Sequence, residues 1–322
     1  MFENWTEDDF LNVQTASNHS AGQTVVKTGV FNGSATSTSW LTAGDKYALV
    51  FLREGVLPPL EDYKLLLDIR PTYLALFLGR MALRQNPSMC LIREHAPHGD
   101  ARHFFEECEE SDVDVSLHHR LIMGQQVAAG LAELHDASKR KVDVANHEME
   151  FVHGDVSASN VLVVRFDKAD PKATLVKLTG HCLVRETSKY MTATSPRGEE
   201  QPAATGGERA EPTRPMPMAP KWSAPESLKK GKFYHASDVW GLGVCLWEIL
   251  TLCDSDPYLG VADTVMAMKM HLDAGNRLER PRECPETLYS ILKRCWADKR
   301  TGRPSVADVR QALQAAAAVE AQ

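Results

Sequence analysis

Phe151-Val152-His153-Gly154-Asp155-Val156-Ser157-Ala158-Ser159-Asn160 marks the point where this chain changes character. Upstream, SLHHRLIMGQQVAAGLAELHD keeps a long 3.6-residue apolar period, with Ser116 at the N-cap position of the helix it predicts. Downstream come two short apolar strands, VLVVRF and TLVKLT. Residues 191–220 then carry Pro, Ala, Thr, Gly, Glu and Arg with almost no large apolar group, a composition that predicts a mobile loop. Residues 235–316 are again helical in pattern. Towards the N-terminus, MCLIRE reads as a buried strand. The run YLALFLGRMAL fits a strand pair or a buried helix, and periodicity does not decide between them. Residues 57–69 have helical spacing at Leu60, Leu65, Leu66 and Ile69, and residues 19–54 read as short strands broken by Gly, Ser and Thr turns. A small strand-rich part therefore precedes a larger helical part, which is an α+β arrangement.

Composition narrows the class. The 322 residues suffice for a buried core, and a net charge of −7 offers no basic surface for nucleic acid. No apolar run reaches the length of a membrane span, so no membrane segment is expected. The N-terminus, MFENWTEDDF, has neither an apolar signal core nor a Met-Gly start. Seven cysteines are scattered without a Cys-x-x-Cys pair, which favours reduced core thiols and a cytoplasmic setting over zinc or disulfides.

The decapeptide resembles the catalytic loop of eukaryotic protein kinases, H-R-D-L-x-x-x-x-N, with the Asp and Asn spacing kept at Asp155 and Asn160. Ala224-Pro225-Glu226 resembles that family's A-P-E. Ser237-Asp238-Val239-Trp240, with Gly241 and Gly243, resembles the start of its central helix, and Cys295-Trp296 with Arg303-Pro304 its closing helices. Each match is weak alone; in order they are specific. The VSAS segment and Lys221-Trp222 are similar to tyrosine kinases, and the extra residues between VLVV and VKLT to Janus-kinase pseudokinase domains. The resemblance implies a two-lobed kinase fold: a small five-stranded sheet lobe plus one helix, then a larger, mainly helical lobe. The implied boundaries are an N-terminal extension over 1–18, the small lobe over 19–98 and the large lobe over 99–317, with a flexible activation-segment insert at 187–220.

Phosphoryl transfer depends mostly on positioning and charge neutralisation, and here the implied parts depart from the family pattern. Asp155 holds the base position and Asn160 a metal-binding position. The metal-binding Asp falls on Gly180, followed by His181 and Cys182, so magnesium is not expected; a softer metal on His181 or Cys182 is the lesser alternative. The strand Lys falls on Val50, or on Phe51 in a register one residue later, with Glu61 as its helix partner. Lys27 or Lys46 stand as substitutes from neighbouring strands. Of the glycine-rich loop only Gly22 sits where a phosphate-cradling turn needs it. Arg93 occupies the position guarding the pocket behind adenine, beside the hinge residue Glu94; it either pairs with Glu61 or snorkels to solvent. Leu162 completes the degenerate nucleotide pocket. ATP binding, if any, is expected to be weak, and no cofactor is certain.

Gly154 replaces the Arg that receives an activation-loop phosphate. His153, Asp238, Glu226 and Arg303 are expected to preserve the scaffold, Glu226 by pairing with Arg303 and His153 in the column joining the lobes with His181. The activation segment's one tyrosine is Tyr190, and Ser195, before Pro196, is a candidate phosphoacceptor. The implied function is a pseudokinase that regulates or scaffolds a protein partner, an active kinase among the candidates. The alternative is an active unconventional kinase that phosphorylates protein Tyr or Ser/Thr using Asp155 and Asn160.

Overall fold

A computed structural model describes residues 4–17, 24–32, 41–52, 71–75, 77–82, 89–138, 151–180, 185–186 and 218–321. The first lobe is built on β1 (Asn4–Thr6), β2 (Phe10–Ser17), β3 (Thr24–Phe31), β4 (Lys46–Leu52), β5 (Phe77–Ala82) and β6 (Met89–Glu94). They form one sheet in the order β1-β5-β6-β4-β3-β2. The five strands β2 to β6 pair antiparallel, and β1 adds a sixth, parallel to β5. The run YLALFLGRMAL thus contains a strand, with Leu74 in an isolated bridge to Leu178. The helix expected at 57–69 lies outside the described residues.

The five strands expected of the small lobe are the antiparallel β2 to β6, and β1 joins the same sheet as a sixth, parallel strand. β1 and β2 both fall within residues 1–18, expected from the sequence to be an extension, and both pair with this sheet. The alternation in FLNVQTAS did not betray a buried face: Phe10 turns inward, while Leu11 and Val13 are exposed. Pairing of β2 with β3 supplies what side-chain burial does not.

The sheet must also curl. β1 and β2 lie at opposite edges but are joined only by Glu7–Asp9. That link from Thr6 to Phe10 spans at most about 14 Å of extended chain. Six flat strands would put the edges roughly 24 Å apart. Inside the curl Trp5, Phe10, Phe31, Leu41, Tyr47, Leu49, Cys90 and Ile92 form a cluster of their own. Trp5 meets the Phe31 ring edge-on at 4.7 Å. The other face, carrying Val50 and Leu91, joins the main core of the second lobe.

The second lobe contains α1 (Ala101–Glu110), α2 (Leu117–Ser138), α3 (Pro225–Lys230), α4 (His235–Leu250), α5 (Val265–Asp273), α6 (Glu286–Cys295) and α7 (Val306–Glu320). Short pairs β7 (Phe151–Val152) with β10 (Arg185–Glu186), and β8 (Val161–Arg165) with β9 (Leu175–Leu178), lie at its upper surface. α4 is apolar almost all round and buried along nearly its whole length, as a helix at the centre of a lobe must be. Gly243 lets it approach α6, since a Cβ there would stand 2.8 Å from Trp296 Nε1. Among the described residues, no helix is long and apolar enough to cross a membrane.

Candidate active site

The loop 153–160 is held from below by one carboxylate. Asp238, in the first turn of α4 and almost fully buried, accepts hydrogen bonds from the backbone N–H groups of His153 and Gly154, both at 2.8 Å. His135 of α2 donates to it from Nε2, also at 2.8 Å, and the His135 ring stacks on His235 at 3.8 Å. Burial alone would raise the Asp238 pKa, but the His135 hydrogen bond and nearby charge outweigh it and the net direction is down. His153 is completely buried. Its Nδ1 accepts from the Asp155 N–H at 3.2 Å and its Nε2 lies 2.7 Å from the Thr179 carbonyl, so the network assigns the neutral Nε2–H tautomer. Burial pushes its pKa down, against the pull of Asp238 and Asp155.

At the upper surface Asp155 and Asn160 meet. Asn160 Nδ2 donates to the Asp155 carboxylate at 2.9 Å and to the Asp155 backbone carbonyl at 2.8 Å. Gly180 stands directly against this pair with φ +85°, in the left-handed region. A Cβ built on it would lie 2.7 Å from both Cγ and Oδ1 of Asn160. The position therefore holds no carboxylate, and any side chain there would have to displace Asn160 while paying left-handed backbone strain.

Val50 is buried on β4 between Val26 of β3 and Leu91 of β6, its partners in the ladder. Lys27 pairs in register with Leu49, and Leu49 with Ile92, which places it on the opposite face; its ammonium lies over the Phe51 ring at 5.1 Å. The expectation that Lys27 substitutes for the strand Lys is therefore corrected: strand alternation turns it away from the cleft. The register with Phe51 at that position fails for the same reason. Lys46 shares a face with Val50 but is exposed, and lies about 13 Å further along the strand. Gly22, Glu61, His181, Cys182, Tyr190 and Ser195 lie outside the described residues.

Arg93 is 8% exposed and opposite Ala48, so the snorkelling alternative is corrected: its head is drawn into the sheet's cleft face. Glu94 is clamped by Lys177 of β9, whose Nζ lies 2.8 Å from each carboxylate oxygen. Leu162 is buried with Ala75 and Ala96, cross-strand from Lys177.

A family model described as protein tyrosine and serine/threonine kinase matches residues 57–313. The chain belongs to that family. Among its relatives, this kinase domain is 32% identical over 206 residues to the proto-oncogene tyrosine-protein kinase ROS of Rattus norvegicus, covering 62% of the chain and 8% of that protein. It is 30% identical over 255 residues to the tyrosine-protein kinase transforming protein Abl of Abelson murine leukemia virus, covering 79% of the chain and 28% of that protein. With the tyrosine-protein kinase Abl of Drosophila melanogaster it shares 29% over 286 residues, covering 88% of the chain and 15% of that protein. The chain thus spans a small part of each relative's own length and is tyrosine-kinase-like.

The family implies magnesium-bound nucleotide, and the described residues do not fit it. At the family's metal positions Asn160 and Asp155 bond each other, and Gly180 adds no oxygen ligand.

The rest of the kinase scaffold is tightly paired. Arg303 grips Glu226 with two nitrogens at 2.7 and 2.8 Å, donates to the Ala236 and Ala297 carbonyls, and packs over Trp240. Burial would raise the Glu226 pKa, but Arg303 pulls it below its ordinary value. Sequence reasoning missed Glu248, the one acid inside the apolar run of α4. It is fully buried and accepts from Arg102, Trp222 Nε1 and the Ala158 N–H, binding α1 and the catalytic loop to the central helix. Its burial drives its pKa up despite those bonds. Lys177 was also missed; a lone Lys in the strand TLVKLT was its signal.

Proposed function

We propose that this kinase domain is a pseudokinase, catalytically impaired and acting as a regulatory or scaffolding module for a protein partner, an active kinase being the foremost candidate class. The observation that carries the reading is the glycine at 180 beside Asn160: the position that aligns with the family's metal-binding carboxylate has none, and a side chain there would have to move the Asn160 amide. Val50 in an apolar setting and Lys27 on the far face leave no lysine close to Val50 on the sheet's cleft face among the described residues. Losing the strand Lys and the metal-binding Asp together corresponds to a rate loss on the order of 10³–10⁵-fold. The buried thiols fit a reducing, cytoplasmic setting, which is part of the same proposal.

A second reading, an active kinase working through Asp155 and Asn160, is favoured by their direct hydrogen bond at the family spacing. Purified protein incubated with labelled ATP and magnesium separates the two. No label is expected on the protein or on a tyrosine-containing peptide. Label transfer that stops in Asp155→Asn would establish the second reading. Thermal-shift titration with ATP, with and without magnesium, is expected to show no magnesium-dependent shift.

A further inference from the structure

Residues 71–75, which lead into β5 of the small lobe, lie against the large lobe through a set of backbone contacts gathered on one side chain. Glu133 of α2 accepts from the Thr72 N–H at 3.0 Å with Oε1 and from the Tyr73 N–H at 2.9 Å with Oε2. The Tyr73 carbonyl, thus oriented, accepts from the Leu178 N–H, and the Leu178 carbonyl accepts from the Ala75 N–H, both at 2.8 Å. Gly130, one turn before Glu133, makes the approach possible: a Cβ there would stand 2.4 Å from the Tyr73 carbonyl oxygen. Leu74, between these contacts, is fully buried in the core of the second lobe.

Leu178 is followed by Thr179, whose N–H donates to the Asn160 carbonyl at 2.8 Å and whose carbonyl accepts a hydrogen bond from His153 Nε2–H. One covalent step further is Gly180, against the Asn160 side chain. A line of hydrogen bonds joined by short covalent steps therefore runs from Glu133 through 72–75, Leu178 and Thr179 to the loop carrying Asp155. We propose that Glu133 is a positioning residue: its carboxylate latches the small lobe onto α2 and, through Tyr73 and Leu178, fixes where Thr179 and Gly180 stand relative to the catalytic loop. This does not depend on whether the site transfers phosphate.

The physical basis is the strength of hydrogen bonds to a charged acceptor, about twice that of neutral ones. Removing the carboxylate leaves two N–H groups to water and frees the Tyr73 carbonyl to turn, which weakens the Leu178 bond it holds. A wire of this kind requires evidence of coupling, not adjacency alone. Amide hydrogen exchange on the full chain supplies it. In Glu133→Ala, exchange at Thr72 and Tyr73 is expected to rise roughly tenfold or more, and exchange at Leu178 and Thr179 to rise with it by several-fold. Amides of α4 serve as the reference and are expected to stay unchanged. In Glu133→Gln, which keeps one acceptor oxygen, Leu178 and Thr179 are expected to recover part of their protection. Faster exchange confined to Thr72 and Tyr73 would reduce Glu133 to a local cap and overturn the proposal. A uniform rise that includes α4 would equally overturn it, because the variant would then act through global stability.

Discussion

At Gly180 a single missing side chain has consequences on both sides of a contact. Because the residue adopts φ +85° and faces Asn160 at a distance no Cβ tolerates, putting a carboxylate back is a structural change as well as a chemical one. Gly180→Asp is expected to lower stability by about 1–3 kcal/mol, from left-handed strain and displacement of Asn160, and to confer no phosphoryl transfer without a lysine near Val50. Chemical denaturation and the labelled-ATP assay check the two parts; a stable, active variant would refute the reading. Arg303 is the opposite kind of residue, one whose partner is left stranded by its removal. Its side chain is 1% exposed and that of Glu226 14%. Arg303→Ala is expected to destabilise by about 3–5 kcal/mol, since Glu226 would remain as a largely buried, uncompensated charge. A loss below about 1 kcal/mol in urea unfolding would show the pair to be peripheral.

At the scale of elements, register decides what each strand offers the cleft. The ladder Val26–Val50–Leu91 faces one side and Lys27–Leu49–Ile92 the other. Lys27→Ala is accordingly expected to leave ATP-dependent thermal shifts, if any occur, unchanged. A loss of such a shift would place the lysine at the nucleotide after all. The first two strands contribute through a few anchors. Trp5→Ala removes an aromatic anchor from a small cluster and is expected to destabilise by about 3 kcal/mol, with hydrogen exchange rising in β3 to β6. Leu11→Ser, on an exposed site of β2, is expected to change stability by less than about 0.5 kcal/mol.

At the scale of the whole molecule, the buried network under the catalytic loop makes stability depend on pH. His153 has a pKa depressed below 6.5 chiefly by burial, so the unfolded chain takes its proton more readily. Its contribution is fully present above about pH 6.5 and is lost as pH falls through its lower folded value. Asp238 and Glu226, depressed by His135 and Arg303 against the opposing effect of burial, contribute stability above their ordinary carboxyl range and lose it at lower pH still. Glu248 has the opposite sign: its raised pKa means that its contribution is largest below 4.5 and declines as pH rises. Melting temperature is therefore expected to fall from pH 7 to pH 5.5 and again below pH 4. A flat profile between pH 7.5 and 5.5 would show that His153 carries no part of this.

The order of a strand-rich part and a helical part, the spacing of Asp155 and Asn160, and the residue types at Val50 and Gly180 were legible in the chain itself, because they depend on local period and on identity. The central helix could be read from its apolar run, and the link between Glu226 and Arg303 from the resemblance. What only the folded structure decided is which groups meet across long sequence separations: Lys27 turned away, Arg93 drawn in, Glu94 held by Lys177, a further parallel strand at the sheet's edge, and the Glu133 latch. Periodicity states which residues share a face of their own element. The register between strands, and the approach of one lobe to the other, are set by backbone pairing and close packing that no single segment contains.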